Sequence, residues 1–205
     1  MSGIIAQNTL DSSGLIKAQA GGGAWNFIKK LTASSSATLD FVDGTSDVVL
    51  DSTYKEYLFT FNNMHPQTDN VQFMFNFSID SGSNYNVSKI HTFIDVYHSE
   101  AGDDSFLGYS TVHDMVGTGA AKFNYNTGND NDQSVSGHFT LYNPSSAVFV
   151  KHYMARTSTI LNVNYERDAL LAGYGNTTSA VDAVQFNFSS GNIDAGDICL
   201  YGITT

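Results

Sequence analysis

The chain contains little cysteine, little proline and few basic side chains. Its 205 residues include one cysteine, two prolines and nine Lys and Arg against 20 Asp and Glu, a net charge of -11. A single cysteine cannot form an intrachain disulfide, which excludes a small fold held together by disulfides. The negative charge disfavours binding to nucleic acid phosphates. No segment approaches the roughly 18 consecutive apolar residues of a membrane helix, so we expect no membrane insertion.

The N-terminal segment differs in composition from the rest of the chain. Residues 1–20 mix small, polar and scattered aliphatic side chains, and they lack the basic region and long apolar stretch of a secretory signal. The following Gly21-Gly22-Gly23 gives the backbone maximal freedom. We therefore expect an N-terminal arm and hinge over residues 1–24, a head domain over residues 25–205, and synthesis in a reducing cytoplasm.

The remainder of the chain shows the alternating pattern of β-strands. In Val71–Ile79, apolar residues alternate with Gln72, Met74, Asn76 and Ser78, so one face of this strand is expected to be apolar and the other mostly wet. Further strands are predicted at residues 25–31, 38–42, 57–61, 91–98, 106–112, 135–141, 147–155, 169–174, 184–188 and 198–200.

The strands are separated by turn-forming segments rather than by helices. Clusters rich in Gly, Asn, Asp and Ser follow many of them, as at Asp80–Asn84 and Ser189–Asn192. The only helical turn that the pattern suggests lies near Asp47–Tyr54, and the crossover helices of a parallel sheet are missing. The sequence therefore predicts an all-β fold, an antiparallel β-sandwich of the jelly-roll type.

One loop has the composition of a calcium site. Asn126–Asp132 carries alternating carboxamides and carboxylates, the oxygen ligands that calcium prefers, and Asp130 and Asp132 are the first candidate ligands. The closing glutamate of an EF-hand is absent. The alternative interpretation is a hairpin loop rich in Asn, Asp and Gly, and we favour it. No other cofactor is indicated.

No pattern in the sequence predicts an active site. The six histidines occur in six separate segments, and none forms a closely spaced pair of zinc ligands. Gly108–Val112 lacks the second glycine of a nucleophile elbow, and Cys199 lies in a predicted strand as a buried structural thiol. A polysaccharide hydrolase has the least support from the sequence, because the chain has no solenoid repeat. We therefore expect a protein that is not an enzyme.

Tyrosine side chains offer a possible sugar-binding surface. Aromatic rings stack on the apolar faces of sugars, although strand tyrosines more often pack in half-buried positions. If the head is a lectin-like module, Asp130 and Tyr142 are the residues whose substitution is expected to abolish glycan binding. The candidate platforms are Tyr97, Tyr109, Tyr125, Tyr142, Tyr165 and Tyr174.

The C-terminal passage carries a resemblance to a known group of proteins. Asn176–Ile203 contains a strand, an SSGN turn, a spacer of small and acidic residues and a final strand that ends in LYGI. In the order of these elements, the passage resembles the C-terminal part of virion proteins of tailed bacteriophages, of the kind common in marine and cyanobacterial phages. Four further passages agree, Asp51–Tyr57, Asp80–Val87, Gly128–Gly137 and Leu141–Ser146. The resemblance spans roughly residues 25 to 203.

The resemblance implies a virion structural protein without enzymatic activity. It leaves open a tail fibre or tail component that attaches to the host surface, and a capsid decoration or head-fibre protein. It implies a homotrimer that contacts other virion proteins through the N-terminal arm, assembles in the host cytoplasm and can bind a host-surface glycan. Fold alone does not decide among these roles.

Overall fold

The computed structural model describes residues 24–204, which form thirteen antiparallel strands and, within that range, no helix. The predicted all-β fold is confirmed, and the predicted arm and hinge lie outside the described residues, apart from Ala24. The strands are β1 Trp25–Thr32, β2 Leu39–Val42, β3 Glu56–Pro66, β4 Phe73–Ser78, β5 Lys89–Ser99, β6 Ser105–Tyr109, β7 Met115–Gly117, β8 Ala121–Lys122, β9 Val135–Tyr142, β10 Lys151–Ile160, β11 Tyr165–Gly175, β12 Ala183–Phe188 and β13 Ile193–Ile203.

Eight of the strands form a jelly roll. One sheet contains the order β1-β13-β3-β9 and the other the order β2-β12-β4-β8. Along the chain, β1 to β4 therefore lie alternately in the first and the second sheet. They pair with β13, β12, β9 and β8, respectively, which follow later in the chain. This wrapping of two Greek keys is the jelly-roll connection. It places Trp25 at the start of β1 directly opposite Ile203 near the end of β13.

The other five strands extend one of the two sheets. Strands β10, β11, β5 and β6 follow β9 in order, and β7 pairs with the first residues of β5. Strands β5 to β7 are inserted between β4 and β8, whereas β10 and β11 are inserted between β9 and β12. The result is a nine-stranded large sheet packed against a four-stranded small sheet, and one part of the large sheet reaches past the small one.

Phenylalanine side chains fill the space between the sheets. Phe61 of the large sheet meets Phe73 of the small sheet with ring centroids 5.2 Å apart, Phe139 meets Phe75 at 4.8 Å, and Phe59 meets Phe186 of the small sheet at 5.3 Å. All six are at most 1% exposed. Burying one such ring stabilises the fold by about 2–3 kcal/mol. The period of two in the sequence thus produces the core directly.

The alternating sequence pattern predicts the wrong burial for some residues in and next to β4. Asn76 and Ser78 were expected on a wet face, but both are buried. The reason is that the segment after β4 folds over them: the Asn76 amide donates to the carbonyl oxygen of Tyr85, and the Asp80 backbone N–H donates to the Ser78 hydroxyl. Ile79, expected on the apolar face, lies beyond the end of β4 and is 43% exposed.

Other element boundaries also differ from the sequence pattern. Strand β10 begins at Lys151 instead of Ala147, because Val148 and Phe149 donate their backbone N–H groups to the Ser146 hydroxyl in a bend. The short strands β7 and β8 were not predicted, and the segment 47–54 contains turns and bends. No helix within residues 24–204 has the length and apolar character needed to cross a bilayer.

Candidate functional site

A groove of about 600 Å³ runs across the outer face of the large sheet. Its floor comes from β3 and β9, whose inward residues, such as Phe59 and Phe139, belong to the core. The strict alternation of the two strands turns the intervening side chains outward. The groove is lined by Trp25, Glu56, Leu58, Thr60, Phe61, Asn62, Ser136, Gly137, His138, Thr140, Tyr142 and Ile203.

Aromatic side chains wall one end of this groove. Trp25 is 59% exposed and packs on Tyr201, with ring centroids 5.7 Å apart. Phe27, 61% exposed, contacts the same Tyr201 ring at 5.7 Å. Tyr142 lines the groove from β9, and its hydroxyl lies 3.9 Å from the Met154 sulfur. Trp25 and Tyr142 thus contribute ring surface to the groove, and Trp25 is supported by its contact with Tyr201.

The groove combines apolar walls with a few polar groups. Glu56, Thr60 and Thr140 add a carboxylate and two hydroxyls to the same lining as Trp25 and Tyr142. Such a mixture suits a ligand with both apolar faces and hydroxyl groups, because rings cover the former and oxygens bond the latter.

A second group of polar side chains is buried beneath the five strands that extend the large sheet, β5, β6, β7, β10 and β11, which we call the added strands. The Arg167 Nε lies 3.0 Å from the Asp95 Oδ1, and the two side chains are 9% and 5% exposed. The guanidinium also lies over the rings of Tyr125 and Tyr97, 3.7 and 5.0 Å from their centroids. Burial raises the pKa of Asp95, and the positive charge of Arg167 opposes this rise. The pair is a structural ion pair clamped between aromatic rings.

A fully buried lysine lies in the same layer. Lys89 Nζ donates to the Asn76 Oδ1 at 2.5 Å and to the carbonyl oxygen of Val87 at 2.8 Å. Burial lowers the pKa of Lys89 to about 8. The neighbouring His91 lies with Nδ1 3.1 Å from the Tyr153 hydroxyl and Nε2 3.0 Å from the His113 carbonyl. These bonds join β4, β5, β10 and the β6–β7 connection.

Ser110 and His113 form the pair that most resembles catalytic machinery. The Ser110 hydroxyl lies 3.3 Å from His113 Nδ1 and 2.7 Å from the Tyr125 hydroxyl. Both residues are buried, and burial together with the cations of Lys122 and Arg167 lowers the pKa of His113 to about 4. A base with this pKa is poorly matched to proton abstraction at neutral pH. We assign the pair a packing role.

The structure places the two predicted metal ligands in an exposed loop. Asp130 bonds within the loop: its backbone N–H donates to Gln133 Oε1 at 3.2 Å and its carbonyl accepts from the Gln133 N–H at 2.9 Å. Asp132 lines a shallow depression with His65 and Asp194. Within residues 24–204 no three His, Cys, Asp or Glu side chains converge as metal ligands. Calcium binding by Asp130 and Asp132 stays a prediction.

The predicted sugar-stacking tyrosines fall in different environments. Tyr125 packs beneath the added strands against His113 and Arg167, so it is not a surface platform. Tyr97 stacks on Phe106, with centroids 5.5 Å apart. Only Tyr142 lines the groove. Of the other three, Tyr109 lies at a sheet edge in β6, and Tyr165 and Tyr174 lie on β11.

The prediction of a buried Cys199 is wrong. Ile198 and Leu200 are fully buried, so the residue between them points to the outer face of the large sheet, where Cys199 is partly exposed opposite Thr60 and Lys30. Sequence reasoning also missed Trp25 and His138 as groove residues. Alternation could identify their outward direction, but only the strand order brings β1, β3 and β9 into one surface.

The fold and the groove together define an all-β jelly-roll protein with a groove on the outer face of its large sheet. Comparisons with models of known protein families, with curated proteins and with solved structures find no match.

Proposed function

We propose that the protein is a non-enzymatic structural component of a tailed-bacteriophage virion, located on the particle exterior and involved in attachment to the host surface. The observation that carries this proposal is where the resemblance falls in the fold. The SSGN segment, Ser189–Asn192, is the turn between β12 and β13, and LYGI, Leu200–Ile203, completes β13. Strand β13 lies between β1 and β3 at the centre of the jelly roll. The resemblance therefore concerns residues that build the fold.

The architecture supports the same proposal. Jelly rolls recur in viral capsid and lectin domains, in which a stable sandwich carries surfaces for assembly and recognition. In this proposal the head forms a homotrimer, and the arm of residues 1–20 joins it to another virion protein. The complete particle assembles in the host cytoplasm. A capsid decoration or head-fibre role uses the same head and arm at a different position.

Deleting residues 2–20 tests the attachment. The core lies within residues 24–204, so we expect the shortened chain to fold with an unchanged thermal midpoint. Particles assembled with it are expected to lack the protein, as measured by immunoblotting of purified virions. A chain in which residues 2–20 are shuffled controls for length and composition. Normal incorporation of the deleted chain contradicts the role of the arm.

Electron cryomicroscopy of the particle locates the protein. Density at the distal tail supports host attachment, and density on the capsid lattice supports the decoration or head-fibre role. Density in neither place contradicts the virion proposal.

The groove favours a second candidate function, a lectin-like module that binds a host-surface glycan. The supporting observation is that exposed Trp25 and half-buried Tyr142 line one groove together with Glu56 and two threonine hydroxyls.

Glycan arrays test this function. We expect Trp25→Ala and Tyr142→Ala each to weaken binding at least tenfold, because each removes a stacking ring. Phe149→Ala is the matched control, since Phe149 is 68% exposed and lies outside the groove. An unmodified protein that binds no glycan, or a loss of binding with Phe149→Ala alone, contradicts the assignment.

A further inference from the structure

A buried amine and a buried carboxamide meet between the two sheets. Lys89 is the first residue of β5, in the large sheet, and Asn76 lies in β4, in the small sheet. Lys89 is 0% exposed and Asn76 is 6% exposed. The Lys89 Nζ donates to the Asn76 Oδ1 at 2.5 Å, which is shorter than an ordinary N–H···O bond. Because a C=O bond is about 1.2 Å long, the amine nitrogen also lies within about 4 Å of the Asn76 Cγ.

The Lys89 amine has no counter-charge among residues 24–204. None of the Asp and Glu side chains in that range forms an ion pair with it. Its other hydrogen-bond partner is the uncharged carbonyl oxygen of Val87, at 2.8 Å. A buried charge without a counter-charge is costly, and burial therefore lowers the pKa of Lys89 to about 8. At pH 7 about one such amine in ten is unprotonated, and its nitrogen lone pair is then a nucleophile.

The Asn76 carboxamide is held in one orientation by its hydrogen bonds. Its Oδ1 accepts from the backbone N–H of Phe77 at 2.9 Å as well as from Lys89. Its Nδ2 donates to the carbonyl oxygens of Tyr85 at 2.5 Å and Thr118 at 3.2 Å. The Phe77 N–H thus lies at the oxygen on which negative charge develops when a nucleophile adds to an amide. The amide nitrogen, which is the leaving group in such a reaction, points to the segments outside the strands.

A second buried lysine shows that this pairing is specific to Lys89. Lys151 is also 0% exposed, and burial lowers its pKa as well. Its Nζ donates to the carbonyl oxygens of Phe149 at 2.6 Å and Thr177 at 3.4 Å, which belong to the backbone. Burial of a lysine in this fold therefore does not by itself bring a side-chain carboxamide to the amine.

We propose that Lys89 and Asn76 condense to an isopeptide bond that links the two sheets. The unprotonated Nζ adds to the Asn76 Cγ, and negative charge develops on Oδ1 beside the Phe77 N–H. One proton passes from Nζ to Nδ2, the Cγ–Nδ2 bond breaks, and Nδ2 leaves as ammonia. One C–N bond replaces another, so the reaction needs no oxidant or reductant.

The product removes the unfavourable charge from the interior. A neutral secondary amide replaces an amine that has no counter-charge, and the released ammonia takes up its proton in water. The single N–H that remains on the Lys89 nitrogen can still donate to the Val87 carbonyl. The Thr118 carbonyl loses the Nδ2 donor, but Thr118 is exposed, so water replaces that bond.

The link fastens the added strands to the small sheet. Strands β4 and β5 belong to different sheets and share no ladder of backbone hydrogen bonds. A covalent bond between them therefore persists when the packing between the sheets is lost. Its formation involves no second copy and no other protein, so its failure leaves the proposed function unaffected.

Digestion with trypsin tests for the link. The full-length chain is kept folded at neutral pH, then denatured, digested and analysed by mass spectrometry. Trypsin cleaves after a free Lys89 and produces the fragments 56–89 and 90–122, whereas an acylated lysine is not cleaved. We expect instead one fragment, 56–122, lighter than its sequence mass by one ammonia. Complete cleavage after Lys151, which is equally buried in the fold, is the control within the same sample.

The variant Asn76→Ala tests the acceptor. It is expected to restore cleavage after Lys89 and to give both fragments at their full masses. Three results overturn the proposal: full-mass fragments 56–89 and 90–122 from the unmodified chain, loss of ammonia without protection of Lys89, or protection that survives Asn76→Ala. If the variant fails to fold, fragmentation of 56–122 from the unmodified chain decides, because a bond between any other pair of residues also overturns the proposal.

Discussion

At the scale of single residues, the polar groups beneath the added strands make the fold sensitive to pH. His113 and His91 are both buried, and burial lowers the pKa of each. A histidine whose pKa is lowered by folding must be neutral in the folded state, whereas the unfolded chain takes up a proton near pH 6.5. Folding stability is therefore expected to fall as acid is added, before most carboxylates titrate.

His113 provides the clearest test. Its pKa is about 4 in the folded chain and 6.5 in the unfolded chain. Between these values the unfolded state binds more protons, so the free energy of unfolding decreases as pH falls from 6.5 to 4, by about 3 kcal/mol from this residue. Urea denaturation at a series of pH values measures the change. With His113→Gln we expect lower stability at pH 7 and a distinctly shallower pH dependence.

The exposed His138 provides the control for this experiment. His138→Gln is expected to leave the acid dependence unchanged, because the side chain lies on the outer face of the large sheet. An equal slope for the unmodified chain and His113→Gln would show that other groups cause the acid sensitivity.

At the scale of elements, strand β11 holds the added part of the large sheet together. It pairs along its whole length with β10 on one side and β5 on the other. Gly173 stands between Tyr153 and His91 in this register, and a Cβ there would overlap the carbonyl oxygen of Ile90 and the backbone of His91. The absence of a side chain at residue 173 allows β5 and β11 to approach each other.

Gly173→Ala is expected to lower the free energy of unfolding by about 1–3 kcal/mol, because the added methyl group forces β5 away from β11. Urea denaturation measures the loss. Ala172→Ser, at the neighbouring exposed position, is expected to change stability by less than about 0.5 kcal/mol. A Gly173→Ala chain as stable as the unmodified one contradicts the close approach of the strands.

The sequence predicted most of these elements but not the shortest ones. The alternating runs of β4 and β12 show the period of two in the sequence, and their phenylalanines are all buried, although Asn76 and Ser78 of β4 are buried as well. Strands β7 and β8 contain three and two residues, too few to show any period. They are strands only because β5 and β4 lie beside them, which is a property of the tertiary fold.

At the scale of the whole molecule, the order of the strands in the sheets determines surface features that no local sequence pattern predicts. Composition and turns predicted two antiparallel sheets, and the jelly-roll wrapping agrees with that prediction. The candidate groove depends on β9 lying beside β3, although 68 residues separate the end of β3 from the start of β9. No local pattern encodes such a pairing. For the same reason Tyr142 could be proposed from sequence, but its neighbours Trp25 and Glu56 could not.

The antiparallel pairing of β1 with β13 has a mechanical consequence. The backbone N–H of Thr204 donates to the carbonyl oxygen of Ala24, so both ends of the described chain leave the head side by side. A force that separates these two ends breaks the backbone hydrogen bonds between β1 and β13 one after another, starting at the chain ends. A pull on Ala24 against a load at the far end of the head acts along β1 and strains all of those bonds at once. A head tethered by its N-terminal side alone is therefore loaded in the direction in which its first strand resists force best.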